Sequence, residues 1–344
     1  MNFVAYFLVA FLLSLLINAG FIFFRERRGK NKSWRRLGGI GIISAFLFGL
    51  LFNPELIITD QIFILAFSAG LILVFGVMDD FFNFSWKKQL FFQSFLVVLL
   101  IFFGYSINQI ALPDGINLIR FDQFVWNGVA WLSVVLILTW VLLMMNAVGW
   151  SDGIDGLSGT IALLGSLTLF ILSLTSVVNQ PAMAILAVIF GGSVLGFLVF
   201  NWPKGRIEAG TSGSYFLGFF LATTAIMAGT KIATIIVVLA IPLVDFFWVI
   251  SERFLEGKSI FKRDDNKRHL HYKLRAIGWS DQRIVLSYFI FVLLILCGYF
   301  LATERWVKLV ILGGEILLIT SLILLITNKT PPPSCPSSNN LLQS

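Results

Sequence analysis

Two pairs of aspartates stand where long apolar runs end. Asp79 and Asp80 close one run in Gly76-Val-Met-Asp-Asp-Phe-Phe-Asn-Phe-Ser-Trp-Lys-Lys88, and Asp152 and Asp155 follow another inside Asn146-Ala-Val-Gly-Trp-Ser-Asp-Gly-Ile-Asp-Gly-Leu157. Charge at membrane depth is costly and marks function. Adjacent carboxylates repel unless a cation or a shared proton separates them. A divalent metal, or one carboxylate acting as base beside a metal site, fits the first pair. The plain alternative is a pair of solvated cap residues, which suits either pair alone better than both together. Asp152 and Asp155 are three apart and share a face on a helical turn. Gly149, Gly153, Gly156 and Gly159 around them allow tight turns and close approach of a bulky anion. A turn leading into a helix start would also offer backbone N–H groups to phosphate, whereas a loop in which Asp and Gly merely make turns is the bland alternative.

A third cluster lies in the segment 251–283, which holds nine Lys and Arg and both histidines of the chain, in Phe261-Lys-Arg-Asp-Asp-Asn-Lys-Arg-His-Leu-His-Tyr-Lys-Leu274. The charges alone suit a topogenic flank or a lipid-surface patch. His269 and His271 are two apart, pointing opposite ways on a strand and about 200° apart on a helix, so a regular element does not bring both to one metal. Holding a diphosphate, with Lys262, Arg263, Lys267 and Arg268 nearby, suits them better. Asp245, within an apolar run, either faces the bundle interior near the site or makes a packing contact, and Glu315 in the last run reads as structural.

The elements that must position these residues are membrane helices. The 344 residues are 58% apolar and 12% charged, with a mean hydropathy of +0.91, which excludes an ordinary soluble domain. Windows long enough to cross about 30 Å of hydrocarbon give eleven spans, at 2–23, 37–52, 61–78, 89–105, 126–145, 157–178, 182–200, 213–228, 232–250, 284–302 and 308–326. The expected fold is an all-α polytopic bundle, a single transmembrane catalytic domain over 1–329. The tail 330–344, with four prolines among Ser and Asn, has a disordered composition. The first run lacks a signal peptide's basic start and cleavage site and reads as a retained span. Cys297 and Cys335 suggest neither disulfide nor metal site.

If the segment from Arg25 to Arg36 is cytoplasmic, alternation puts 21 of the 25 Lys and Arg on that side. The amino terminus is then outside and the carboxyl terminus inside. Both aspartate pairs, the connection from Lys204 to Ser214 and the basic 251–283 loop then emerge together on the cytoplasmic face.

In order and spacing, Arg36-Leu-Gly-Gly39, the Asp79-Asp80 pair, Asn146 to Gly159, Gly210-Thr-Ser-Gly-Ser-Tyr-Phe-Leu-Gly218, and Gly257-Lys-Ser-Ile-Phe261 leading to His269-Leu-His271 resemble the polyprenyl-phosphate N-acetylhexosamine-1-phosphate transferases. The likeness runs from about Arg35 to Ser280. It implies transfer of a sugar-1-phosphate from a UDP-sugar to polyprenyl phosphate with release of UMP, in cell-wall or polysaccharide synthesis at the plasma (inner) membrane. It implies a magnesium cofactor, with manganese as substitute, and no nucleic-acid partner; a homodimer is compatible with it. By the resemblance Asp79 is the base or near-base beside the lipid phosphate, Asp80 and Asp152 stand nearest the metal, and Asp155 serves the nucleotide or the architecture. Arg36, Lys88, Asn146, Lys262, Arg263, Arg268, His269 and His271 would bind substrate. The chain departs from the pattern at Gly149, Thr211 and Tyr272, where relatives commonly carry Asn, Asp and a further His. Two expected metal contacts are thereby missing. A catalytically silent relative acting as a binding or scaffold protein, or an ion-coupled transporter, are the competing readings. A transporter would place its acidic residues near the midplane and show repeated halves, and neither is seen here.

Overall fold

The computed structural model describes residues 2–28, 32–111, 118–176, 178–228, 232–259 and 268–328. The expected disordered tail, and Lys262 and Arg263, lie outside the described residues.

Apolar segments of this length cannot leave backbone N–H and C=O groups bare in hydrocarbon, so they close them within helices. The described helices are α1 (Phe3–Arg28), α2 (Gly38–Leu51), α3 (Asp60–Phe82), α4 (Trp86–Phe102), α5 (Trp131–Ser151), α6 (Leu157–Leu174), α7 (Pro181–Asn201), α8 (Gly210–Met227), α9 (Ile232–Leu255), the short α10 (Leu270–Ala276), α11 (Asp281–Leu301) and α12 (Arg305–Thr327), with a 3-10 turn at Lys32–Arg36 before α2. Among the described residues sheet is confined to two short antiparallel pairs, β1 (Gln109–Ala111) with β2 (Leu118–Arg120) and β3 (Val125–Trp126) with β4 (Val129–Ala130).

Each of the eleven expected windows overlaps a helix, although 126–145 begins in the β3–β4 pair ahead of α5 and 157–178 runs past the end of α6 at Leu174. Nine of the described helical segments are long and apolar enough to cross a membrane. The other two are α4, at 17 residues, and α8, whose first turn reads Gly-Thr-Ser-Gly-Ser. Large apolar side chains such as Leu16, Val74, Phe91, Leu294 and Leu317 face outward, as they do where the solvent is lipid. The chain is an all-α, multi-pass membrane protein.

The polar start of α8 is tolerated because the helix is interior: every residue from Gly210 to Ile226 is buried, against α2, α3, α5, α6 and α9. A wedge of rings fills one side, with Phe190 stacked on Phe220 at 3.8 Å and Phe46 against Phe216 at 5.2 Å. On the other side small residues let backbones approach. A side chain at Gly39 would strike Gly213, and one at Gly76 would strike Ser212. These contacts draw the start of α8 against the ends of α2 and α3.

Two ends are set by local chemistry. Thr59 caps α3 by accepting from Ile62 N at 3.3 Å, and Asn83 ends it in the left-handed region at φ 49°. That turn reverses the chain into α4 directly after Asp79 and Asp80.

Candidate active site

One face of the bundle holds a polar cavity of about 970 Å³. Its walls come from Arg36, the α3–α4 turn with Gln89 and Gln93 of α4, the end of α5 with Asp152 and Asp155, Glu208 to Tyr215, and Phe246, Arg253, His269 and Tyr272. Segments over 230 residues apart thus share one wall.

The Asp152–Asp155 segment is a turn rather than a helix, since α5 runs on to Ser151 and α6 begins at Leu157. The turn is pinned from behind: Gly156, at φ 85°, donates its N–H to Asn201 Oδ1 at 2.8 Å, and Asn201 Nδ2 donates to Ile207 O at 2.7 Å. Asp152 lines the cavity and accepts from Ser158 Oγ at its Oδ1, 2.5 Å away. Burial pushes its carboxyl up to about 7, against the pull of the Ser158 hydroxyl. Asp155 is tied down instead, accepting from Arg35 at 2.9 Å and from Gly205 N at 3.1 Å. Its carboxyl is also raised, chiefly by burial, with Arg35 opposing.

The Asp79–Asp80 pair is closed off. Asp79 accepts from Phe84 N at 2.8 Å, from Gln89 Nε2 at 3.0 and 3.1 Å, and from Thr211 Oγ1 at 2.6 Å. Asp80 accepts Thr211 N–H on both oxygens at 3.0 Å and pairs with Arg36 Nε at 3.2 Å. Both side chains are buried. Gly210 makes this seal possible: at φ 67° it occupies the left-handed region, and a Cβ there would strike Asp80 and the Arg36 carbonyl. Thr211, where the family resemblance expects a carboxylate, supplies the two donors that satisfy the pair. The contacts of Asp79 therefore do not support the base role expected for it.

These residues do not converge into a ready metal centre: among the described residues no group of three His, Cys, Asp or Glu could hold an ion. Asp80 is not paired with Asp152 as a ligand set, since its oxygens are taken by Thr211 and Arg36. Asp152 Oδ2 has no described donor. That donor set fits magnesium in its usual mode, where one or two carboxylates and the substrate's phosphates share the ion.

The other expected residues divide. Arg36, Asn146 and His269 line the cavity, and Asn146 Nδ2 donates to Gln93 Oε1 at 2.8 Å. Lys88 does not: it lies over the Phe84 ring at 5.1 Å and borders a separate apolar groove of about 470 Å³ between α3 and α4. Arg268 is turned to Glu256 in a two-point pair at 2.9 and 2.8 Å, which pulls the Glu256 carboxyl down to about 2. His271 is buried beside Gly153, its Nε2 without a partner, and burial holds its ring down to about 3. The two imidazoles do not point apart: they lie parallel, with 1° between their planes and 5.5 Å between their centres. His269 is the extended residue before α10 rather than part of it, so the rotation expected between two positions of one regular element does not apply.

Arg253 was hidden in the sequence among the flanking charges. It is buried, lines the cavity and stands over Trp150 at 5.7 Å. Its place in the last turn of α9 is the signal that sets it apart from the exposed Lys258 after it.

Residues 62–229 match the family described as Glycosyl transferase family 4. A "Probable undecaprenyl-phosphate N-acetylglucosaminyl 1-phosphate transferase" of Bacillus subtilis (strain 168) is 26% identical over 268 residues, covering 76% of this chain and 71% of that protein. A "Decaprenyl-phosphate N-acetylglucosaminephosphotransferase" of Mycolicibacterium smegmatis is 25% identical over 328 residues, 86% of this chain and 78% of that one. A "Phospho-N-acetylmuramoyl-pentapeptide-transferase" of Thermotoga maritima is 27% identical over 268 residues, 77% and 83% of the two chains. By its motif order, the match over residues 62–229 and these likenesses, the chain is similar to proteins of glycosyl transferase family 4.

Proposed function

We propose that this protein transfers an N-acetylhexosamine-1-phosphate from a UDP-sugar to a polyprenyl phosphate. A phosphate oxygen of the lipid attacks the β-phosphorus of the donor, the bond from that phosphorus to the oxygen bridging it to the α-phosphorus breaks, and UMP leaves. The attacking group is already an anion, so the step needs no protein base to create it. What it needs is the close approach of several negative charges, held in line. The observation that carries this reading is the cavity at the helix ends, where Arg36, Arg253 and His269 face Asp152. Among these, Arg36 and Arg253 offer forked N–H donors to phosphoryl oxygens.

Asp79 and Asp80 act here through Thr211 and Arg36, fixing the start of α8 and one wall of the cavity. Magnesium, or manganese in its place, would be held by Asp152 together with the diphosphate and would offset phosphoryl charge. The distribution of Lys and Arg along the sequence supports eleven spans with the amino terminus outside and the site on the cytoplasmic face of the plasma membrane. A lipid acceptor explains why a polar cavity opens at a membrane boundary at all.

Thr211, which donates to Asp79 and Asp80 where the resemblance expects a carboxylate, favours a second reading, a silent relative that binds these substrates without turnover. Membranes carrying the protein, supplied with a panel of UDP-sugars, polyprenyl phosphate and magnesium, separate the two. UMP release that requires both substrates, with a matching lipid-linked sugar by mass spectrometry, is expected. No UMP from any donor, with folded protein, contradicts transfer.

A further inference from the structure

Asp245 sits in the middle of α9, 6% exposed, and both of its oxygens reach the same short stretch of chain. Oδ1 accepts from Leu270 N at 2.7 Å, and Oδ2 lies 2.7 Å from His269 Nδ1. One carboxylate thus caps the first turn of α10 and holds the ring of the residue before it. The ring is fixed on its other sides as well. Trp150 meets it edge-on at 5.3 Å, and His271 lies parallel to it at 5.5 Å. No described residue bonds the remaining nitrogen, Nε2, and the ring borders the polar cavity.

We propose that Asp245 is a positioning residue: it keeps His269 protonated at Nδ1 and presents Nε2 to a phosphoryl oxygen of the bound nucleotide diphosphate. An ionised carboxylate only accepts, so Nδ1 must carry the proton between them. A diphosphate oxygen also only accepts, so Nε2 must carry one too. With substrate bound the ring is therefore the imidazolium, a cation whose counter-charge is Asp245. This inference rests on the transfer reading for the identity of the ligand, while the state of the ring can be read without turnover.

Asp245→Asn is the informative change. Its amide oxygen can still accept from Leu270 N, so the turn is kept, but its amide nitrogen donates to His269 Nδ1 and strips the proton from that position. The chain has two histidines, so nitrogen NMR of histidine-labelled protein gives two rings, assigned by a His271→Gln variant. The expected result is a protonated Nδ1 at His269 in the wild type, two protonated nitrogens once UDP is added, and a bare Nδ1 in Asp245→Asn. In turnover, Asp245→Asn lowers kcat by about 10–100-fold with the donor KM within about threefold, as for loss of a residue that orients another. The double variant with His269→Gln is no slower than His269→Gln alone. A bare Nδ1 in the wild type overturns the proposal whether or not the protein is active. So does a pair of variants whose losses multiply. Absence of turnover in the wild type, with the ring states as expected, counts against the transfer reading and leaves the placement of the ring standing.

Discussion

The two aspartate pairs are alike in composition and reach the same face of the bundle, yet the structure treats them oppositely. Asp79 and Asp80 are enclosed, every oxygen met by an N–H or O–H from Thr211, Gln89, Phe84 or Arg36. In the second pair the work is split: Asp155 is latched to Arg35 and Gly205, and Asp152 keeps one oxygen without a described partner and a carboxyl raised to about 7. A buried carboxylate supplied with several donors holds a structure together, whereas one left short of donors is available to a ligand. The difference lies in the partners, not in the aspartates.

The largest effect that sharpens this contrast is on turnover. Asp152→Asn removes the open oxygen charge, and UMP release is expected to fall by about 10³-fold, the scale of losing one direct electrostatic contact to the reacting groups. An intermediate effect breaks the closed pair from the other side. Thr211→Val keeps the backbone N–H to Asp80 but leaves Asp79 without the hydroxyl, so unfolding should become easier by about 1–3 kcal/mol, read from denaturation in detergent. Asp152→Asn should do the reverse. A carboxyl raised from 3.8 to about 7 binds its proton more tightly in the folded state, so its favourable contribution is full below about 4 and is lost as pH rises through about 7. Metal-free Asp152→Asn protein should therefore match the wild type at pH near 4 and be the more stable by a few kcal/mol, to order of magnitude, at pH 8. The smallest effect belongs to Asp155→Asn. Its pair with Arg35 is partly exposed, and the loss should stay within about 1 kcal/mol of stability, with UMP release changed only a few-fold.

Apolar run length marked where the described helices lie, apart from the start of the fifth window, which falls in the β3–β4 pair. What sequence could not carry was the pairing of side chains between helices. Thr211 closes over Asp79 from 132 positions away, through an approach of α8 to α3 that depends on Gly76 and Gly39. His269 lies beside His271 because the chain is extended for one residue before α10, and a two-residue spacing alone implies the opposite. Asp245 meets His269 only once α9 and the start of α10 are brought together. Asp152 and Asp155 were legible as candidates, but their division into an open and a latched residue depends on Arg35 and Gly205, which lie elsewhere in the chain.

The central claim is that the bond broken joins the two phosphorus centres of the donor, so that phosphate travels with the sugar. A UDP-sugar radiolabelled at the β-phosphorus tests it directly in membranes supplied with polyprenyl phosphate. Label extracted with the lipid, matched by unlabelled UMP, is the expected result. Label that stays in the nucleotide as UDP while the sugar moves to lipid would contradict it.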